Sequence, residues 1–347
     1  MPLPDRMMAL VKREAAPGAE LMEVPRPSPG PGEVLVKVRV ASICGTDVHI
    51  YEWNEWAAGR VKSPLVFGHE FAGDVVALGP GADGLMVGDY VSAETHIICN
   101  QCYQCRTGQG HICRRCSIIG VDRPGTFAEY VSLPAANVWP NPPDMPPEIA
   151  SIQEPFGNAV DTVFAGDVTG KSFLVIGCGP IGLMAVGLLR ASGAHPVIAS
   201  DLSEYRLDLA RRMGADIVLD AGARDVVAET LAETGGEGVD AVLEMSGARV
   251  ALKQAVAVAR NGGRISVLGL PPGAVEFDVS PFVFKGLTLQ GITGRRMFDT
   301  WYRTRAILSS GRVDLGRVIT HTFPLTSFKE AFALAESGLC GKIVLTL

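Results

Sequence analysis

Hydrophobic and polar positions follow two different rhythms along this chain. In the first third they recur with the period of two expected of strands, as in Glu33 to Val40 after the Pro/Gly-rich bend Pro25 to Gly32. Further strands are expected at Phe71 to Leu78, Tyr90 to Ala93 and Phe127 to Leu133, interrupted irregularly by proline and glycine, a pattern that favours a barrel-like β domain. From about Gly170 the apolar runs 173–176, 197–199, 217–219, 239–243 and 264–268 alternate with helical stretches at 181–192, 203–213, 223–233 and 249–260. Strict alternation of strand and helix specifies a parallel sheet covered on both faces. Near Arg303 the pattern changes again, and Lys342 to Leu347 reads as a closing strand that returns to the first domain. The expected fold class is therefore α/β, a β domain plus a doubly wound parallel sheet. The length of 347 residues agrees, since it exceeds the size at which one core stops growing.

The parallel-sheet region holds one Gly-x-Gly-x-x-Gly turn, Gly177-Cys-Gly179-Pro-Ile181-Gly182, between an expected strand and an expected helix. That context gives the motif its meaning. Gly177 permits the turn, Gly179 lets the backbone approach a pyrophosphate, and Gly182 lets helix and strand pack closely, with the helix N-terminus facing the phosphates. Asp201, at the end of the next strand, suits the ribose hydroxyls and would repel a 2′-phosphate, so NAD is expected over NADP. Without a dinucleotide, Asp201 would be an ordinary helix N-cap. Arg206 either reaches the ribose or adenine or solvates a helix face.

The cysteines change the picture further. Cys99-x2-Cys102-x2-Cys105-x7-Cys113 offers four thiols to one tetrahedral Zn²⁺, and a closed shell of four thiolates leaves no position for a substrate. Such a site is structural and pins a loop. Iron–sulfur clusters also take four cysteines, but with different usual spacings. Cys116 falls outside the pattern and reads as a free thiol. A second, dispersed set comprises Cys44-Gly-Thr46-Asp-Val-His49, Gly68-His69-Glu70 and Glu154-Pro155. Cysteine, histidine and carboxylate together suit a catalytic zinc with an open position.

Charge and composition then exclude whole classes. A formal net charge of −6 offers no basic field to nucleic acid or an anionic membrane. The N-terminus lacks an apolar signal-peptide region, and the apolar stretch Phe173 to Leu189 is broken by Gly177, Gly179, Pro180 and Gly182, so a soluble cytoplasmic protein is expected.

Together these motifs resemble the zinc-dependent medium-chain dehydrogenase family over essentially the whole chain. Three longer segments, His49-Ile-Tyr-Glu-Trp53-Asn-Glu-Trp56, Glu154-Pro-Phe-Gly-Asn-Ala and Gly294-Arg-Arg-Met-Phe-Asp-Thr-Trp, are most similar to the branch of that family that oxidises L-threonine. Relatives acting on polyols or 2,3-butanediol share the zinc motifs and match these segments less well. The resemblance implies a GroES-like β-barrel catalytic domain over 1–156 and 299–347 and a Rossmann-type NAD domain over 157–298. It implies that Cys44, His69 and Glu70 ligate or adjoin a catalytic zinc, while Glu154 fills the fourth position or steers a water there. Thr46 and His49 match the family's proton relay. Ile181, Asp201, Arg206, Leu268, Gly269, Leu270, Ile292 and Thr293 match positions that line the cofactor.

The implied reaction is oxidation of a small secondary alcohol, L-threonine to 2-amino-3-oxobutanoate, with hydride transfer to NAD in a homotetramer. His96 and the Trp53/Trp56 segment either meet the zwitterionic substrate or serve as loop, lid or subunit packing. Arg295 and Arg296 either meet pyrophosphate or a neighbouring subunit or lie solvated. The contrasting class is a non-catalytic dinucleotide-binding zinc protein, which would need no second, open metal site. If Asp201 faces the ribose, the chain should reduce NAD faster than NADP at equal concentration; equal rates in a nicotinamide absorbance assay would remove Asp201 from that role.

Overall fold

The computed structural model describes residues 3–347. The chain forms two compact units, one running to Glu154 and completed by Ile319–Leu347, the other Pro155–Val318. Among the described residues no helix is long and apolar enough to cross a membrane.

The first unit is built on a seven-stranded sheet in the spatial order Val138–Pro140, Tyr90–Ala93, Glu70–Leu78, Glu33–Ser42, Lys342–Thr346, Ile319–Pro324, with Tyr130–Pro134 also paired to Glu33–Ser42. A three-stranded sheet of Glu20–Pro25, Arg6–Lys12 and Leu65–Val66 accompanies it. The alternating strand Glu33–Ser42 buries Val34, Val36 and Val38 in the main core with Phe67, Phe71, Phe127 and Phe332. The closing strand Lys342–Thr346 pairs antiparallel with Glu33–Ser42, so the chain's end is central to this sheet.

Two short helices interrupt the expected all-β pattern, α1 (Gly45–Glu52) and α2 (Glu55–Arg60). Their local signals are polar. Cys44 and Asp47 form a capping box at the start of α1, and the Asn54 side chain caps α2 by accepting from Ala57 N at 3.0 Å. The strand expected at Phe127 begins later, at Tyr130, because Phe127 and Ala128 instead meet Ala9 and Leu10 of the smaller sheet.

The second unit is a six-stranded parallel sheet in the order Ile217–Asp220, Val197–Asp201, Phe173–Ile176, Val239–Glu244, Ala259–Val267, Thr288–Gly291. The strand order reverses beside Phe173–Ile176, the switch point at which such sheets take ligands at their carboxyl ends. The helix Arg249–Val258 stops two residues before its expected end, where Ala259 turns extended.

The second unit also keeps segment 299–318, which the sequence reading assigned to the catalytic domain. The physical reason is tertiary packing. Trp301, Val313, Leu315 and Val318 are buried, and the Arg317 guanidinium donates to the Arg212 carbonyl at 2.8 Å. The chain therefore re-enters the first unit at Ile319.

Phe332, from that returning segment, is fully buried; its ring meets Tyr51, Phe67 and Phe127 at centroid distances of 4.4, 5.9 and 6.2 Å. Phe332→Ala should cost about 3–5 kcal/mol in denaturant unfolding of the first unit, the usual range for truncating a buried ring. A change below about 1 kcal/mol would mean the returning segment does not fasten the core.

Candidate functional site

The structure brings Cys44 together with the adjacent pair His69 and Glu70 from two separate stretches of chain. One ligand atom from each lies within 4.8 Å of the other two. Cys44 is the N-cap of α1, directly after the strand Glu33–Ser42, while His69 leads into the paired strand that Glu70 opens. Ser42 and Glu70 are register partners in that pair, so the strand pairing itself aligns the cluster.

Three further side chains hold these three, and local sequence pattern assigns them no role. Asp47, fully buried, accepts from Cys44 N at 2.9 Å, and its Oδ1 lies 3.3 Å from His69 Nδ1. A carboxylate beside one ring nitrogen orients a histidine so that the other can face an ion. Ser42 donates its hydroxyl proton to Glu70, and the Lys342 ammonium donates to Glu70 Oε1 at 2.7 Å and to the Ile43 carbonyl at 2.9 Å. Glu154 stands outside the three-residue cluster, buried, with its Oε1 accepting from the Thr95 hydroxyl at 3.0 Å.

The electrostatics favour a cation. Burial alone would push the His69 imidazolium down, yet Asp47 and the Cys44 thiol hold it well above the ordinary histidine range. Burial pushes the Glu70 carboxyl up against the pull of Lys342. Thiol, imidazole and carboxylate at this separation fit the donor set of a catalytic zinc.

The second constellation is tighter. Sulfur–sulfur distances are 3.4 Å for Cys102–Cys105, 3.5 Å for Cys99–Cys113, 3.8 Å for Cys102–Cys113 and 3.9 Å for Cys99–Cys105. Four thiolates about 2.3 Å from a tetrahedral centre would sit about 3.8 Å apart, so these sulfurs are spaced for one zinc and too far apart for disulfides. Backbone N–H groups, Gln101's first, pull the Cys99 thiol down to about 5. Burial and the neighbouring thiols push Cys105 up to about 12, a proton that a bound cation would displace. Cys116 remains a free cysteine.

The glycine turn in the second unit has the expected build. Gly177 takes φ +96°, in the left-handed region, and a Cβ on Gly182 would lie 2.0 Å from the Gly177 carbonyl oxygen. Gly179 is the N-cap of the helix Pro180–Ala191, with Ile181 in its first turn. Asp201 accepts from Cys178 N at 2.7 Å and Ser203 N at 2.9 Å, which ties the second strand's end to the turn. Arg206 Nε is buried without a hydrogen-bond partner among the described residues, an orphaned donor that a bound nucleotide would satisfy.

Leu268, Gly269 and Leu270 follow the strand Ala259–Val267, and Ile292 and Thr293 follow Thr288–Gly291, at the carboxyl edge of the sheet. Glu244, missed in the sequence, braces that edge. Its buried carboxylate accepts from Ser246 N, Ser246 Oγ and Gly247 N at 2.9, 2.6 and 2.9 Å, and its backbone carbonyl accepts from Leu268 N and Gly269 N.

Other candidates resolve individually. Thr46 lies half-buried in the first turn of α1, and His49 is exposed in its last turn with its ring centroid 6.4 Å from that of Trp56. His96 Nδ1 lies 2.9 Å from the buried Glu94 carboxylate, so His96 is a held side chain and not a free surface residue. Arg295 is almost wholly buried and donates to Asn158 Oδ1 at 3.0 Å, whereas Arg296 is largely exposed.

Comparison with known proteins agrees with this geometry. Residues 30–143 match the alcohol dehydrogenase GroES-like domain and residues 180–310 the zinc-binding dehydrogenase domain. The chain is 52% identical over 345 residues to an L-threonine 3-dehydrogenase of Pyrococcus abyssi, covering 99% of both chains. It is 54% identical over 341 residues to an L-threonine 3-dehydrogenase of Bacillus subtilis, covering 98% of both. Among solved structures, a short chain alcohol dehydrogenase from Escherichia coli CFT073 complexed with NADH superposes with a TM-score of 0.91 at 31% identity, over 99% of this chain and 100% of that one. The 2R,3R-butanediol dehydrogenase of Bacillus subtilis superposes with 0.88 at 28% identity, over 98% and 99%.

The two clusters should load independently. Zinc-loaded Cys44→Ala should retain one zinc per chain of two and lose turnover while binding NAD normally, whereas Cys105→Ser should lose the other zinc and loosen residues 99–116. Elemental analysis checks this; two zinc ions retained in Cys44→Ala, or near-normal kcat, would contradict it.

Proposed function

The chain belongs to the family of zinc-binding alcohol dehydrogenases, and from that premise we propose that it oxidises the 3-hydroxyl of L-threonine to give 2-amino-3-oxobutanoate, with NAD as acceptor. The observation that carries the reading is the Cys44/His69/Glu70 cluster, with His69 and Glu70 buried and Cys44 half-buried, which a purely structural zinc protein would not need. Full-length identity above one half with L-threonine 3-dehydrogenases supports the choice of substrate.

In this reading Cys44 and His69 hold the catalytic zinc, Glu70 ligates or adjoins it, and Glu154 holds the open side. Cys99, Cys102, Cys105 and Cys113 hold the structural one. Zinc supplies the Lewis acidity that makes a secondary alcohol a usable proton donor, and NAD supplies the hydride acceptor. Gly177, Gly179 and Gly182 seat the pyrophosphate, Asp201 and Arg206 the adenosine end, and Leu268–Leu270 with Ile292 and Thr293 the remainder. The Thr46 hydroxyl takes the substrate proton, and His49, exposed on the same helix, delivers it to solvent. Imidazole suits that step because one ring nitrogen can accept a proton while the other gives one up.

A homotetramer belongs to the same proposal. Thr288–Gly291 lies at the edge of the parallel sheet, and Val283 and Phe284 are exposed close by in sequence, which supports pairing with a second copy.

Steady-state rates with L-threonine, sorbitol and 2,3-butanediol under NAD test the substrate. L-Threonine should give the highest kcat/KM; a faster polyol or diol would overturn the assignment within the same family. His49→Ala should lower kcat by roughly 10²-fold, the low end for a proton-transfer group, and alter the pH–rate profile. An unchanged profile would remove His49 from the relay.

A further inference from the structure

Lys12 is a buried cation with no buried anion beside it among the described residues. It has no exposed surface, and its ammonium donates to three main-chain carbonyls, those of Ala16, Gly18 at 2.8 Å and Tyr51 at 3.0 Å. All three of its protons are thereby committed. The Trp53 ring centroid lies 5.1 Å from Nζ, within cation–π range. Loss of water pulls this ammonium down to about 8, which leaves it charged at neutral pH. Packing alone would be met by leucine or methionine at lower desolvation cost.

Its location suggests what the charge is for. Tyr51 belongs to the last turn of α1, the negative end of the helix dipole, and its carbonyl also accepts from Gly18 N at 2.7 Å. Trp53 follows as the left-handed C-cap with φ +57°. A helix of eight residues is marginal by itself, so its ends must be held from outside. The first turn is fixed by the Cys44–Asp47 capping box, whereas His49 lies in the last turn, where Lys12 acts. The same end orders the neighbouring chain, because His49 O accepts from Asn54 N at 3.3 Å and the Trp56 ring lies by His49.

We propose that Lys12 is a positioning residue for proton release: by closing the C-terminal end of α1 under Trp53, it holds His49 where it passes the substrate's proton to solvent. This rests on the relay in the proposed function and adds a residue outside it. Because the first turn has its own cap, losing Lys12 impairs proton exit and leaves metal and NAD binding intact.

The test is Lys12→Met in the zinc-loaded full chain, assayed with L-threonine and NAD well below its unfolding temperature. The expected result is two zinc ions per chain, an unchanged KM for NAD, and kcat lowered about tenfold with a larger solvent deuterium isotope effect. Imidazole added to the buffer should restore the rate, because a diffusing base replaces a misplaced relay. A variant with lower stability and wild-type kcat, or a kcat loss that imidazole does not relieve, would overturn the proposal. Trp53→Leu, which removes the aromatic neighbour and keeps the ammonium, should show a smaller loss of the same imidazole-sensitive kind. It decides the matter should Lys12→Met not fold, since an imidazole-insensitive loss or none overturns the proposal. A wild type that does not oxidise L-threonine overturns the underlying function instead, whereas an active wild type with unaffected variants overturns the role of Lys12 alone.

Discussion

Glu70 is a carboxylate with no exposed surface, placed beside a thiol and an imidazole, and its charge must be balanced within the protein. Lys342 supplies the balance from the last strand of the chain, itself almost wholly buried, with Ser42 and the Ile43 carbonyl completing the hydrogen bonds. Removing one member of such a pair strands the other, at a cost of about 3–5 kcal/mol. The Cys44/His69/Glu70 cluster therefore depends on the chain's return. Lys342–Thr346 is paired to the strand that delivers Cys44, so the pairing that closes the sheet also delivers the counter-charge. Burial lets the electrostatics act strongly on a bound ion, and the same burial makes every unpaired group costly.

The second unit meets a different constraint, the close approach of backbone to a charged ligand. Gly177 and Gly182 leave no room for a side chain at the turn, Asp201 ties the end of the next strand to it, and Glu244 braces the loops that follow its own strand and the neighbouring one. Oriented N–H groups can then face phosphate at the switch point of the sheet. The cysteine lobe answers a third need. Few residues between Cys99 and Cys116 are buried, so little core is available to fix that loop, and four sulfurs spaced for one zinc offer the alternative.

What was legible in the sequence was what is local in chemistry. The four cysteines, the glycine turn and the strand–helix alternation each lie within short stretches whose spacing has one physical meaning. The residue types of Cys44, His69 and Glu70 hint at a second metal site, but their grouping as one ligand set came from resemblance, because ligands from separate strands leave no periodic signal. Asp47 carried a weak local sign, an acid three residues after an N-cap, while the role of Lys342 had none: its partner is nearly the whole chain away. The helices α1 and α2 leave little trace in the pattern because they are short and set by caps. The boundary expected at 299 moved to Ile319 because tertiary contacts of Trp301 and Arg317, invisible to pattern, hold that segment in the second unit.

The most direct measurement follows the transferred hydrogen. L-Threonine carrying deuterium at C3, turned over with NAD by the zinc-loaded protein, should yield reduced cofactor with one deuterium at C4 of the nicotinamide, read by mass spectrometry. Reduced cofactor without deuterium, or none formed while both zinc sites are filled, would contradict zinc-assisted oxidation of the 3-hydroxyl at this site.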